Sequence, residues 1–147
     1  MANIHHSIQI AAKPETVYPL ISSAKGFGQW WATDITEPDH TVELGFFKRA
    51  TVYRLRLEAA KAPLEAEWIC ETGKEWAGTH IIFRLEASGP GTLLRFIHSE
   101  WEAETDYFVS CNTAWGELMF RLKAAAEGKS RGPLFLADGL AGYASVA

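Results

Sequence analysis

Between positions 105 and 128, apolar residues recur at alternating intervals of three and four: Phe108, Cys111, Trp115, Leu118, Leu122 and Ala125. That spacing predicts a long amphipathic helix whose apolar stripe must be buried against a partner surface. Thr105 is placed to cap its N-terminus and Asp106 favours the positive end of its dipole, while Gly128, Lys129 and Arg131 suit the other end. Almost everything before this stretch alternates with period two.

Ile4, His6, Ile8 and Ile10 oppose His5, Ser7 and Gln9, which predicts a half-buried strand over 4–11. Pro14 then opens a short helix with Val17, Leu20 and Ile21 on its apolar side, and Pro19 marks a kink or an early stop. Residues 22–28 read as a turn and a second short helix that delivers Phe27, Trp30 and Trp31 together, and polar 33–40, with Pro38, reads as a loop. Strands are predicted over 42–47, 51–60, 64–71, about 80–87 and 92–101, separated by turns at 48–50, A-K-A-P, 72–78 and S-G-P-G. Tyr53, Leu55, Leu57 and Ala59 share one face, as do Leu64, Ala66, Trp68 and Cys70, and Ile81, Phe83, Leu85 and Ala87. The last strand is ambiguous: Leu94, Phe96, His98 and Glu100 oppose Leu93, Arg95, Ile97, Ser99 and Trp101, and neither face is cleanly apolar.

A strand, two short helices, a run of antiparallel strands and one long helix make an α+β order, with the helix across the concave face of a curved sheet. One domain is expected over 1–133, followed by an apolar extension over 134–147. Leu134, Phe135, Leu136 and Tyr143 of that extension either pack on their own domain or contribute to a homodimer interface.

Composition narrows the partners. With 147 residues, 48% of them hydrophobic, the chain suffices for one core. Fourteen basic against eighteen acidic residues leave a formal charge of -4 without any basic run, which argues against nucleic acid or an anionic membrane as partner. No basic segment leads into an apolar one at the N-terminus and no apolar run is long enough to span a bilayer, so a soluble cytoplasmic protein is expected. Cys70 and Cys111 lie in apolar-patterned segments and read as buried free thiols. His5, His6, His40, His80 and His98 form no metal-binding spacing, and phosphate-loop and G-x-S-x-G motifs are absent, so neither metal nor cofactor is expected.

The order of elements resembles the helix-grip fold of the SRPBCC superfamily, which holds the START and birch-pollen-allergen-like proteins. Trp30-Trp31, G-T-L-L-R-F-I-H-S-E-W over 91–101 and W-G-E-L-M-F-R-L-K over 115–123 resemble the family of the heat-shock-protein-90 ATPase activator C-terminal domain. The similarity runs to about Pro133. The chain departs in having only Gly45 where that family often carries paired glycines, and in its apolar extension. The resemblance implies a cavity between sheet and long helix, and a small hydrophobic or amphipathic ligand within it.

Strand and helix parity nominate Trp30, Trp31, Tyr53, Trp68, Phe83, Phe96, Cys111, Trp115 and Met119 as its lining, although each can equally be plain core. Asn112 and Gly116 suggest a gap at mid-helix, because a glycine there costs roughly 1 kcal/mol relative to alanine. His6 and His98 point inward, and the helix-grip topology makes the first and last strands neighbours. They are candidates for the cavity's polar end, or else core histidines satisfied by a backbone carbonyl or a water. Two further readings stay open: a cyclase- or hydrolase-like enzyme using His98 and Glu100, and a co-chaperone-like protein-binding module with its cavity filled. Arg54, Arg56 and Arg84 with Glu58, Glu65, Glu67 and Glu86 read as cross-strand charge pairs on a solvated sheet face.

Overall fold

In the computed structural model, which describes residues 1–144, strands β1 (Ala2–Ile10), β2 (Asp34–Thr36), β3 (Val42–Phe46), β4 (Thr51–Lys61), β5 (Glu65–Thr72), β6 (His80–Ser88) and β7 (Gly91–Trp101) form one sheet. Successive hairpins from β2 to β7 make neighbours of consecutive strands, and β1 closes the order β1-β7-β6-β5-β4-β3-β2 by pairing with β7. Helices α1 (Pro14–Ile21) and α2 (Ala24–Phe27) follow β1, and α3 (Asp106–Ala126) ends the helix-grip arrangement. None of the helices in the described residues is long and apolar enough to cross a membrane.

The α3 stripe is buried as spaced, with Phe108, Cys111, Trp115, Leu118, Met119 and Leu122 against the sheet. At its last turn Ala126 rather than Ala125 is buried. Thr105 accepts a hydrogen bond from the Phe108 N–H at 3.2 Å, satisfying one of the orphan donors of the first turn. Pro19 does not end α1, which continues to Ile21.

Three departures from the predicted elements have local causes. Residues 34–36 form an edge strand rather than loop, pairing Asp34 with Gly45, Ile35 with Leu44 and Thr36 with Glu43. Three residues are too few for a period-two signal, and Asp34 is polar because it bridges Arg49 at 2.6 Å. On β4 the register slips between Leu57 and Ala59, and both side chains leave the core because the β4–β5 hairpin runs past it. On β7 a bulge resolves the ambiguous parity. Ile4 pairs with His98 and Ala2 with Trp101, so β7 spends three steps where β1 spends two. Glu100 takes up the extra residue at φ 67°, its N–H donating to Asn3 Oδ1 at 3.0 Å. The inward face therefore runs Leu94, Phe96, His98, Trp101, and Glu100 is turned out.

Phe27, Trp30, Trp68 and Phe83 form the core beneath α1 and α2, with the Phe27 ring 5.1 Å from Trp68 and 5.9 Å from Trp30. Both indoles are anchored: Trp30 donates to the Leu20 carbonyl at 2.8 Å and Trp68 to the Ile21 carbonyl at 2.9 Å. Nothing crowds the α3 backbone at Gly116, where an added Cβ would meet only His6 Cε1, at an ordinary 3.7 Å. Gly116 borders open space on this side of α3. Gly116→Ala should therefore raise unfolding stability by about 0.5–1 kcal/mol through helix propensity alone. Urea denaturation measures this; a loss of stability would show that the glycine answers a packing need.

Candidate functional site

A cavity of about 110 Å³ lies between the β3–β4 end of the sheet and the first half of α3. Phe46, Thr51 and Tyr53 of the β3–β4 hairpin form one wall, and Tyr107, Cys111, Ala114, Trp115 and Leu118 of α3 the other. Trp31, Trp76 and Phe135 come in from three non-adjacent segments to complete it. The rings brace each other: Trp76 stacks on Tyr53 at 3.8 Å and lies 6.0 Å from Trp115, which is 4.9 Å from Trp31. Trp76 reaches this position because Gly73 opens the β5–β6 loop at φ 129°, where a Cβ would stand 2.3 Å from Tyr53 Cδ1.

Few polar atoms reach the cavity. The Tyr53 and Tyr107 hydroxyls bond to each other. Burial pushes the Cys111 thiol above its ordinary pKa, while the Trp76 indole N–H and the Tyr107 hydroxyl, both close to its sulfur, pull the other way. Burial, with the neighbouring Cys111, also raises Tyr107. Trp76 is only 4% exposed, and its fully buried Nε1 has the Cys111 sulfur, a weak acceptor, beside it.

Of the twelve candidates, Trp31, Tyr53, Cys111 and Trp115 converge on this wall. Trp30, Trp68, Phe83, Phe96 and Met119 are buried in the core away from it. His6 and Asn112 bond to one another instead, Nε2 to Oδ1 at 2.9 Å, joining β1 to α3 away from the cavity. His98 is sealed behind the cavity. The Trp115 indole donates to its Nδ1 at 3.1 Å, which leaves the proton on Nε2 to be donated to Thr79 Oγ1 at 2.8 Å, and Thr79 in turn donates to the Trp76 carbonyl at 2.6 Å. Burial pushes its pKa down to about 3, so the ring is neutral. The two histidines therefore do not meet, and side chains satisfy His98 rather than a carbonyl or a water. Glu100, turned out by the bulge, contacts His80 Nε2 at 3.0 Å and not His98.

Sequence reasoning missed Trp76, Tyr107, Phe46 and Phe135. A tryptophan inside a turn, G-K-E-W-A-G, was the available signal, because a loop rarely spends that much apolar surface on solvent. Phe135 arrives with the extension, whose residues 145–147 lie outside the described residues. Its N–H donates to the Trp31 carbonyl at 2.9 Å, its carbonyl accepts from Thr33, and its ring meets Phe46 edge-on at 4.9 Å. Arg121 holds the extension in place. Buried on α3 at 3% exposure, it donates to the carbonyls of Arg131, Gly132, Pro133 and Ala141 and lies 3.4 Å from Glu117, which also accepts from the Tyr143 hydroxyl. Past Phe47, Ala114 and Phe135 the cavity adjoins a groove of about 810 Å³ between α3 and Leu140 and Tyr143.

The convex face carries cross-strand ion pairs, Arg56–Glu71 at 2.7 Å, Arg84–Glu65 at 3.5 Å and Arg95–Glu86 at 3.0 Å. Glu58, Glu67 and His80 offer ligand atoms within 4.8 Å of one another there, on the solvated side of the sheet and remote from the cavity.

A seven-stranded sheet gripping one long helix, with a small aromatic-walled cavity between them, defines a helix-grip domain. Among solved structures the chain is similar to the Aha1 dimer from Colwellia psychrerythraea, with a TM-score of 0.77 and 30% identity over 88% of this chain and 98% of that one. The chain belongs to this Aha1-like family of the SRPBCC superfamily. It shares its fold with a Staphylococcus saprophyticus protein (TM-score 0.70, 16% identity, 92% and 99% of the two chains) and with CalU16 from Micromonospora echinospora (0.71, 15%, 88% and 68%). No protein-family model and no curated protein matches the chain.

The neutral state of His98 has a consequence for stability. Its pKa falls from 6.5 to about 3 on folding, so between those values the unfolded chain takes up a proton that the folded chain refuses. The contribution is complete above the unfolded value and is lost as pH falls towards the folded one, at up to roughly 1.4 kcal/mol per pH unit. Urea midpoints between about pH 7 and 5 should show this slope, above the range where carboxylates titrate. His98→Gln should flatten it while being less stable throughout; an unchanged slope would assign the pH dependence elsewhere.

Proposed function

We propose that this protein binds a small apolar or amphipathic molecule, its head in the cavity between the β3–β4 hairpin, Trp76 and α3 and its remainder along the adjoining groove. The observation that carries the reading is the cavity itself, a void of about 110 Å³ walled by aromatic rings beside an apolar groove. A cavity of roughly 150 Å³ accepts benzene, so a ring-sized head with a longer body is the scale that fits. A catalytic role for His98 with Glu100 lacks geometric support, since one is sealed and neutral and the other contacts His80 on the convex face.

Native mass spectrometry of freshly purified protein should reveal a co-purifying small molecule. Binding should also perturb the fluorescence of Trp31, Trp76 and Trp115. Ala114 lines the cavity, so Ala114→Phe should fill it and weaken binding at least tenfold, about 1.4 kcal/mol, with the circular dichroism spectrum unchanged. Undiminished affinity in a folded Ala114→Phe protein would move the site elsewhere.

A second reading, compatible with the first, is a homodimer through the outer face of α3. Val109 is 56% and Phe120 63% exposed on that face, with Leu140 and Tyr143 of the extension nearby. The Colwellia psychrerythraea relative is described as a dimer. Light scattering should give twice the 16.3 kDa chain mass, and Phe120→Glu should shift the protein to monomer. A monomeric parent protein at high micromolar concentration would refute this reading.

A further inference from the structure

We infer that the cavity takes a plain hydrocarbon ring, and that the ligand's polar group is a neutral one carried at the other end of a short alkyl chain, out in the groove. The inference rests on the binding reading above and adds the ligand's chemistry and its orientation.

Cavity and groove share Phe47, Tyr107, Cys111, Ala114 and Phe135, so the mouth runs through these residues. Trp31, Phe46, Tyr53, Trp76, Trp115 and Leu118 line the cavity alone and form its inner wall. Thr51 adjoins the mouth, since it directly follows the turn that carries Phe47 and pairs with Phe46 across it.

The polar groups of the inner wall are spent within the protein. The Trp115 N–H goes to His98 Nδ1 at 3.1 Å. The Trp76 N–H and the Tyr107 hydroxyl are both directed at the Cys111 sulfur, which leaves the Tyr53 hydroxyl to donate to the Tyr107 oxygen. Trp31 is 1% exposed, its ring packed among Phe27, Trp30 and Trp115 at 5.0, 5.6 and 4.9 Å. A hydroxyl or carbonyl on the buried ring would therefore give up its water without gaining a partner. A bare ring gives up nothing and packs against aromatic faces.

The groove supplies what the cavity withholds. Ser110, Thr113 and Glu117 of α3 line it, and the first two are exposed. Ala114 at the mouth and Glu117 are one helical turn apart, roughly 5–6 Å, which a chain of a few methylenes crosses. No lysine or arginine lines either space, so an anionic end would find no counter-ion and would meet the Glu117 carboxylate. A neutral hydroxyl fits without that cost.

Phenylbutanol with a methyl group at the para position of its ring, and the same molecule with a hydroxyl there instead, test this. The two have the same shape and the same terminal alcohol, and the second presents a hydroxyl to the cavity whichever end enters. Titrated into the full chain, the methyl compound should bind at least about thirtyfold more tightly, beyond what transfer into a hydrogen-bonding medium would give. Intermolecular nuclear Overhauser contacts should run from its ring methyl to the Trp31 and Trp115 indoles and from its carbinol protons to the Thr113 methyl. A smaller ratio, or carbinol protons against those indoles, would overturn the inference and leave the binding reading intact. Binding of neither compound, or binding of the methyl compound that a folded Ala114→Phe protein retains in full, would bring down the binding reading and this inference with it.

Discussion

One hydrogen-bonded chain ties three separate elements of this fold together: Trp115 indole to His98, His98 to Thr79, Thr79 to the Trp76 carbonyl. It joins α3, β7 and the β5–β6 loop through a neutral imidazole that is completely buried. In a low-dielectric interior each of these bonds is stronger than in water, and losing any member leaves its neighbours unsatisfied. The consequence is geometric as well as energetic. With the Trp115 indole aimed at His98, the rotation of α3 is set, and Cys111, Ala114 and Leu118 turn towards the β3–β4 hairpin. A positively charged His98 would have no acceptor at Nδ1 for Trp115, so the same chain that shapes the cavity requires the ring to stay neutral.

Legibility in the sequence followed periodicity. The α3 stripe and six of the seven strands announced themselves by their spacing, and the four candidates that line the cavity, Trp31, Tyr53, Cys111 and Trp115, lie on those elements or directly after α2. What escaped lies where no period exists. β2 is too short to alternate, and the bulge at Glu100 inverts parity within a strand, so that Trp101 faces inward and Glu100 outward. Trp76 and Phe135 reach the cavity from a loop and from the extension, the first placed by the Gly73 turn and its stacking on Tyr53, the second by backbone hydrogen bonds to Trp31 and Thr33. His98 was read correctly as inward-facing, but no spacing reveals that two side chains had already claimed both of its nitrogens.

The extension is part of the cavity rather than an appendage. Arg121 lies on α3 among apolar neighbours and is almost fully buried, an arrangement that is costly unless every donor is met. A guanidinium suits the task because its planar fork of five donors can serve several carbonyls at once. Here those carbonyls belong to a segment mostly outside the sheet, whose backbone needs partners of its own. By holding residues 131–141, Arg121 also holds Phe135 between Phe46 and the Trp31 backbone. One wall of the cavity thus depends on a charge two turns beyond Ala114 on the helix that forms another.

Protein interiors ordinarily close such voids, because side chains collapse until only water-sized gaps remain. Here collapse is opposed by the rigidity of the wall. Tyr53, Trp76, Trp115 and Trp31 are braced in series, and Gly73 commits the β5–β6 loop to the stack, so filling the space would mean unstacking rings rather than rotating one side chain. The fold therefore maintains an unfavourable feature, a void between aromatic faces. An apolar occupant would relieve it, and by binding the folded chain alone it would add RT ln(1 + [L]/Kd) to stability.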